Sequence, residues 1–378
     1  MNDRKKIIIL YSTAGMGHKK AAIALFEAFK KRTDGFELEI IDVLDYASDL
    51  YKYIYLKFYV FLMSHGKGLW GIMYYLSNMP CVDRLTRNIR GKIDFKSLPG
   101  FGKMILKKQP DAIVASHFLL SSVAGILRKK GCISKLFTLI TDYGPHSYWL
   151  SDYVDKFFVG TDSVKIKVAE RDIPEDKIDA TGIPAGEEFN ATYDKQELCA
   201  RYGADPGKKT IFLMSGGYGV GPIERMLVSL NQCDGNDIQV ITVCGHNKIV
   251  YDNINRLREK LKYKLILFGF TDKVAELMAI SDLMITKAGG ISVTEALNMR
   301  LPMILFGSIP GQEIWNEELL LKIGAAERCK NVSDIPVIAN KLLRSDGKYV
   351  LMKDGIDRIR RPDAADSIID VVLKEIGA

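Results

Sequence analysis

Three glycine-bearing turns, and the polar residues beside them, are where this sequence could do chemistry. The first is Ser12-Thr13-Ala14-Gly15-Met16-Gly17-His18, directly after the apolar run 7–10. Glycines where a strand turns into a helix let backbone approach a ligand, and the helix start offers free N–H groups and partial positive charge. Gly15 and Gly17 form only G-x-G, with Lys20 where a dinucleotide fingerprint has its third glycine, and no G-x-x-x-x-G-K-[ST] loop occurs. His18 stands at the mouth of the turn. An imidazole there suits a general base near neutral pH, and it also reads as a first-turn helix residue without chemistry.

The second turn, Ser215-Gly216-Gly217-Tyr218-Gly219-Val220-Gly221-Pro222, places four glycines in six positions before a proline suited to a first helical position. That is an anion cradle. The third is Thr286-Lys287-Ala288-Gly289-Gly290-Ile291-Ser292-Val293-Thr294-Glu295. Its glycine pair again precedes a helix, so amides can face phosphate oxygens, and Glu295 lies a turn further on, in reach of a ribose. An exposed glutamate is the plain alternative. Last comes Pro310-Gly311-Gln312-Glu313-Ile314-Trp315-Asn316, where a side-by-side amide and carboxylate suit bidentate hydrogen bonds to sugar hydroxyls or merely cap a helix.

The elements that must hold these turns alternate between short apolar runs and amphipathic stretches, the pattern of a parallel α/β fold. Strands are expected at 5–11, 38–43, 112–116, 136–141 and 156–160, with helices at 18–31 and 119–130. An irregular insertion separates the second and third strands. A linker is expected at 183–194, where Pro184 and Gly186 lie among polar residues. The pattern then restarts, with strands at 210–215, 239–244, 264–268, 283–286 and 303–306. Helices are expected near 222–231, 246–261, 274–280, 292–298 and 312–323. A helix at 364–376 follows, able to fold back on the first unit. Two doubly wound units would place a ligand in the cleft between them, at the carboxyl ends of the strands.

The 378 residues, 47% hydrophobic and 26% charged, describe an ordinary globular chain of two or three domains. Six scattered cysteines without a C-x-x-C pair argue against a disulfide framework or structural zinc and fit a reducing cytoplasm. Four apolar residues at 7–10 are too few for a signal-peptide core, and no run reaches a membrane span. Residues 52–135 carry 15 basic against three acidic residues (Asp83, Asp94, Asp111), and nine aromatics fall in 51–75. Such a segment suits an anionic membrane surface first. Nucleic-acid phosphates rank second, since no recognition motif accompanies it. A buried helix with solvated lysines is the bland reading.

Together these stretches resemble the GT-B glycosyltransferases that make glycosyl-diacylglycerols: the processive diacylglycerol glucosyltransferases of Gram-positive bacteria and the plastid monogalactosyldiacylglycerol synthases. Both are relatives of the lipid-linked N-acetylglucosaminyl transferase of peptidoglycan synthesis. The resemblance rests on Gly15-Met16-Gly17-His18, Ile140-Thr141-Asp142, Ala180-Thr181-Gly182-Ile183-Pro184, Val243-Cys244-Gly245-His246-Asn247, Ile285-Thr286-Lys287-Ala288-Gly289-Gly290 and Pro310-Gly311-Gln312-Glu313, in that order and spacing. It departs at Thr13-Ala14-Gly15 and at Ser116-His117-Phe118, both on the acceptor side.

The resemblance implies two Rossmann-like domains facing a cleft: 1–188 for acceptor and membrane, and 189–360 for the UDP-sugar. Residues 361–378 return to the first. It implies inverting transfer of glucose or galactose from a UDP-sugar to 1,2-diacylglycerol, with no cofactor or metal and no nucleic-acid partner. The enzyme would lie on the anionic inner face of the cell membrane. His18 would be the base, with Asp142 orienting it or the acceptor. Donor binding would fall to Gly216, Gly217, Gly245, Phe268, Gly269, Phe270, Lys287, Gly289, Gly290, Thr294, Glu295, Gln312, Glu313 and Asn316. Phe268 to Phe270 would flank uracil. Gly15, Gly17, Lys57, Lys67, Trp70, Arg84 and Arg87 would serve acceptor and membrane. Another lipid-linked acceptor, a sugar-nucleotide epimerase and an inert nucleotide-sugar sensor are the competing readings.

Overall fold

The structure, a computed structural model, describes every residue except 1–3, 14, 33–34, 50, 54–65, 218, 220, 234 and 236. The chain forms two compact units. One comprises Met1–Gly186, Ile309–Gln312 and Arg361–Ala378, and the other Glu187–Ser308 with Glu313–Arg360.

In the first unit β1 (Lys6–Tyr11), α1 (Met16–Arg32) and β2 (Glu37–Asp42) are followed by the helices α2 (Lys67–Ser77), α3 (Pro80–Ser97) and α4 (Pro99–Lys108). Then come β3 (Ala112–Ala115), α5 (Phe118–Lys129), β4 (Lys135–Leu139), β5 (Lys156–Phe158), α6 (Asp162–Ala169) and β6 (Ile178–Asp179). The sheet runs β2-β1-β3-β4-β5-β6, all parallel. Helices cover both faces of such a sheet, so its strands read as near-continuous apolar runs. Ile7, Ile8, Ile9 and Leu10 are fully buried, as are Ala112 to Ala115.

The second unit contains α7 (Lys195–Tyr202), β7 (Lys209–Met214), α8 (Ile223–Ser229), β8 (Ile238–Val243), α9 (Lys248–Leu257), β9 (Lys264–Phe268) and α10 (Val274–Ala279). It continues with β10 (Leu283–Thr286), α11 (Gly290–Asn298), β11 (Met303–Phe306), α12 (Gln312–Lys322, whose first residue counts with the first unit), β12 (Ala326–Cys329), α13 (Ile335–Arg344) and α14 (Asp346–Ile359). Its parallel sheet runs β12-β11-β10-β7-β8-β9. Strand order reverses between β1 and β3 in one sheet and between β7 and β10 in the other. Ligands of open α/β sheets bind at such switch points.

The final helix, α15 (Ala364–Ile376), belongs to the first unit. Its buried face is Ile368, Ile369 and Val372. Arg32 of α1 pairs with Asp366 and Asp370, and Lys135 with Glu375 at 2.8 Å.

Among its described residues, the segment between β2 and β3 is mainly helical rather than irregular as expected. Pro80 and Pro99 open α3 and α4, where a missing N–H costs nothing. Large apolar side chains face outward on its described helices. Leu85 is 80% exposed and Ile72 60%. Among the described residues no helix is long and apolar enough to cross a membrane.

Candidate functional site

In the first unit the carboxyl ends of β1, β3 and β4 meet around His18. The imidazole sits in the third position of α1, partly buried, and its Nδ1 lies 2.6 Å from Thr141 Oγ1 on the loop after β4. Its ring folds back over the turn. A Cβ on Gly15 would lie 2.4 Å from His18 Cδ2 and 3.1 Å from Nε2, so glycine there leaves room for the imidazole. Ser116 Oγ, just past β3, lies 3.1 Å from the carbonyl oxygens of both Leu10 and His18 and ties strand end to helix start. His117 meets His18 edge-on at 4.7 Å, and Trp149 lies 5.7 Å away.

These neighbours offer no carboxylate to an imidazolium. Burial pushes the His18 pKa down to about 4, and that of His117 well below its ordinary value. The positive end of α1 acts in the same direction. His18 is therefore neutral at physiological pH, a proton acceptor in waiting. His117 Nδ1 accepts the Leu119 N–H at 3.2 Å and caps α5. Gly17 is the second residue of α1. Asp142, partly buried, follows Thr141; after burial, its charge raises the Tyr74 pKa. Thr141 was not singled out among the site residues, because its partner lies 123 positions away.

In the second unit the glycines do different work. The Gly217 carbonyl accepts the His246 N–H at 3.1 Å, joining the loops after β7 and β8. A Cβ on Gly245 (φ +59°) would sit 2.1 Å from Gly217 O, and one on Gly219 (φ +54°) 2.4 Å from Cys244 O. Gly245 and Gly219 therefore admit close approach of neighbouring backbone. Gly217 itself has nothing within 4 Å of its Cβ position, and Gly216 has only Lys287 Cε at 3.5 Å. Beside these loops an open cavity of about 340 Å³ is lined by Gly245, His246, Lys248, Tyr251, Gly269 and Phe270. Phe270, 62% exposed, stacks on His246 at 4.3 Å and 16°. Phe268 instead packs edge-on against Tyr202 of α7 at 5.8 Å.

At the β7/β10 switch, Gly289 caps α11 and Gly290 begins it. Thr294 Oγ1 donates back to Gly290 O at 2.8 Å, and Glu295 is buried, only 2% exposed. Burying a carboxylate is costly, so the plain surface glutamate is ruled out. Lys287 Nζ meets Glu313 Oε1 at 2.6 Å, and Asn316 Nδ2 donates to Ala288 O at 2.9 Å. Both contacts pin the loop before α11 to α12. Gln312 opens α12. Trp70 and Lys67 lie on α2, and Arg84 and Arg87 on α3, with Arg84 exposed. Lys57 lies outside the described residues, as do the side chains of Lys67 and Arg87.

The chain has counterparts among known proteins. The monogalactosyldiacylglycerol (MGDG) synthase family matches residues 18–185, and the glycosyltransferase family 28 C-terminal domain matches 210–318. A processive diacylglycerol beta-glucosyltransferase of Bacillus cereus (strain ATCC 10987 / NRS 248) is 30% identical, covering 99% of this chain and 95% of its own. One from Bacillus anthracis (strain CDC 684 / NRRL 3495) is 29% identical over the same shares. MurG of Acinetobacter baumannii superposes with a TM-score of 0.65 at 12% identity, covering 98% of this chain and 99% of its own. UDP-bound MnaA of S. aureus superposes at 0.67 and 14%, covering 99% and 97%. At those identities the solved structures share the fold alone. With the full-length match and both family matches in the expected halves, the chain belongs to the GT-B glycosyltransferase family of the processive diacylglycerol beta-glucosyltransferases.

Proposed function

We propose that this chain moves glucose from UDP-glucose to the 3-hydroxyl of 1,2-diacylglycerol, inverting the anomeric carbon. Glucose is preferred over galactose because the relatives that match this chain over its whole length are glucosyltransferases.

The observation that carries the reading is His18, neutral, at the β1/β3 switch and bound to Thr141. Its Nε2 takes the hydroxyl proton as the acceptor oxygen bonds to the anomeric carbon and the bond from that carbon to the diphosphate breaks. General-base help of this kind is worth roughly 10²–10⁴-fold. Asp142 orients the acceptor hydroxyl from the same loop. UDP departs with its charge facing Lys287 and the α11 amides at Gly289 and Gly290, a preorganised anion site that requires no metal. Uracil lies against Phe270 and His246, the ribose on Glu295, and the hexose on Gln312 and Glu313.

The acceptor lies in a bilayer, and the first unit has a face for one. Leu69, Ile72, Met73 and Leu76 recur at i, i+3, i+4 and i+7 of α2, all exposed, and α3 adds Leu85, Ile89 and Ile93. Arg84, Lys92 and Lys96 are exposed on the same α3. Apolar side chains with basic neighbours suit the anionic surface of the cell membrane's inner face.

Incubation with radiolabelled UDP-glucose, UDP-galactose or UDP-N-acetylglucosamine, with diacylglycerol in vesicles, tests the reading. Glucosyl-diacylglycerol should form, faster on phosphatidylglycerol vesicles at low salt. UDP-N-acetylmannosamine formed from UDP-N-acetylglucosamine would instead mark an epimerase, and binding without product a sensor.

A further inference from the structure

Helix α2 has a second face, turned toward the core of the first unit. There Gly71 meets Pro310 so closely that a Cβ would lie 2.8 Å from Pro310 Cβ. One turn on, the Tyr74 ring covers Gly311. A Cβ there would lie 2.8 Å from Tyr74 Cγ and 3.0 Å from Cδ1, and Gly311 has φ +104°. Glycine is required at 311 twice over, by its backbone angle and by the ring. The stretch Ile309–Gln312 thus runs along α2 and ends at Gln312, whose Oε1 is buried and accepts no hydrogen bond among the described residues. A buried amide oxygen without a donor is costly unless a ligand supplies one.

Tyr74 is held from its other side. His146 Nδ1 accepts the Tyr148 N–H at 3.1 Å, so in the neutral ring Nε2 carries the proton and donates to Tyr74 O at 3.0 Å. The two rings lie 4.3 Å apart. Asn78, capping α2, accepts the Ser147 N–H at 2.9 Å. The ring's position is therefore set by the loop that also bears Thr141 and Asp142.

We propose that Tyr74 is a positioning residue for sugar recognition: its ring, laid across Gly311, fixes the backbone that presents the Gln312 amide to the hexose. It rests on the proposed contact between Gln312 and the sugar. Uridine and diphosphate are held elsewhere, so Tyr74 should matter for UDP-glucose and not for UDP.

Calorimetry with UDP and with UDP-glucose, on the full chain in detergent, reads this as a ratio of affinities. In Tyr74→Ala the preference for UDP-glucose over UDP should fall about five- to tenfold, the factor of one neutral hydrogen bond. UDP affinity should be unchanged, and UDP-glucose KM should rise more than kcat falls. Tyr74→Phe keeps the ring and should restore the ratio. If Tyr74→Ala does not fold, Gly71→Ala decides, since its methyl displaces Pro310 while favouring the helix; it should show the same loss. A parental ratio in Tyr74→Ala, or an equal loss in Tyr74→Phe, overturns the proposal. Gln312→Ala separates the two levels. If it lowers the ratio while Tyr74→Ala does not, the sugar contact stands and the role of Tyr74 falls. If Gln312→Ala keeps the parental ratio, the sugar contact itself is wrong, and the proposal with it.

Discussion

The two switch points, β1/β3 and β7/β10, are built from the same sheet grammar and use glycine for opposite ends. At the first, Gly15 makes room for a side chain, the His18 imidazole 2.4 Å from where its Cβ would be. In the second sheet, where the loop after β8 meets the loop after β7, Gly245 makes room for backbone, the Gly217 carbonyl 2.1 Å from where its Cβ would be. One turn thereby offers a nitrogen that can take a proton. The other offers loops and helix amides that can face an anion. A glycine at a strand-to-helix turn signals close approach, but what approaches is decided by residues far off in sequence.

The largest expected effect breaks the comparison at its first term. His18→Ala should lower kcat about a hundredfold or more while UDP affinity, a property of the other turn, is unchanged. Calorimetry and turnover on one preparation check this; activity within a few-fold of the parent would make His18 structural and shift the base to Asp142. The protonation of His18 also has a sign. Its pKa falls from 6.5 to about 4 on folding, so between those values the unfolded chain binds more protons. This stabilisation is complete above pH 6.5 and is lost as pH falls through 4. The acid limb of kcat/KM should lie near the same lower value.

The second term is tested by stability. Gly245→Ala forces a methyl against Gly217 O at a left-handed φ, a clash with backbone that should cost about 1–3 kcal/mol. Gly217→Ala, with open space at its Cβ, should cost well under that. Denaturant titration compares them; equal losses would mean that the loops do not meet as described.

How much of this was legible in the sequence follows from the same physics. Strands buried on both faces read as apolar runs, so β1, β7 and β8 were visible to within a residue or two. The edge strand β12, Ala-Glu-Arg-Cys, has no such run, and two-residue β6 is too short to show a period. The helices α3 and α4 each open on a proline, which reads as a break in the sequence. His18 and the glycine pairs stood out because a turn needs them locally. Thr141 did not, because its importance lies in a hydrogen bond to a residue on another element. The approach of Gly217 to Gly245 was not legible, since contact between two loops leaves no local mark. The burial of Glu295 was invisible because α11 is covered on nearly every side.

A third change sharpens the comparison by probing the ligand side of the second turn. Glu295→Ala should raise the UDP-glucose KM about tenfold to a hundredfold, the 1.5–3 kcal/mol of a hydrogen bond to a charged group, and leave kcat at saturation nearly unchanged. An unaltered KM with intact folding would remove Glu295 from the ribose.

The smallest effect concerns which nitrogen of His18 carries the proton. Thr141 Oγ1 and His18 Nδ1 are 2.6 Å apart, and the hydroxyl can either donate or accept. If it donates, Nε2 of the neutral ring bears the hydrogen and cannot serve as a base. If it accepts, Nδ1 bears the hydrogen, and the Nε2 lone pair is free on the side of the ring that lies over Gly15. Catalysis by His18 therefore requires Thr141 to act as acceptor. Thr141→Val keeps the shape and removes the oxygen, so both tautomers become accessible and the imidazole loses its tether. A single neutral hydrogen bond is worth about 1 kcal/mol, which predicts a roughly fivefold fall in kcat with donor KM unchanged. Thr141→Ser should restore the rate. Nitrogen-15 shifts of the His18 ring, recorded in parent and valine variant, report the tautomer directly. A parent ring protonated at Nε2 would exclude the base role whatever the rates show.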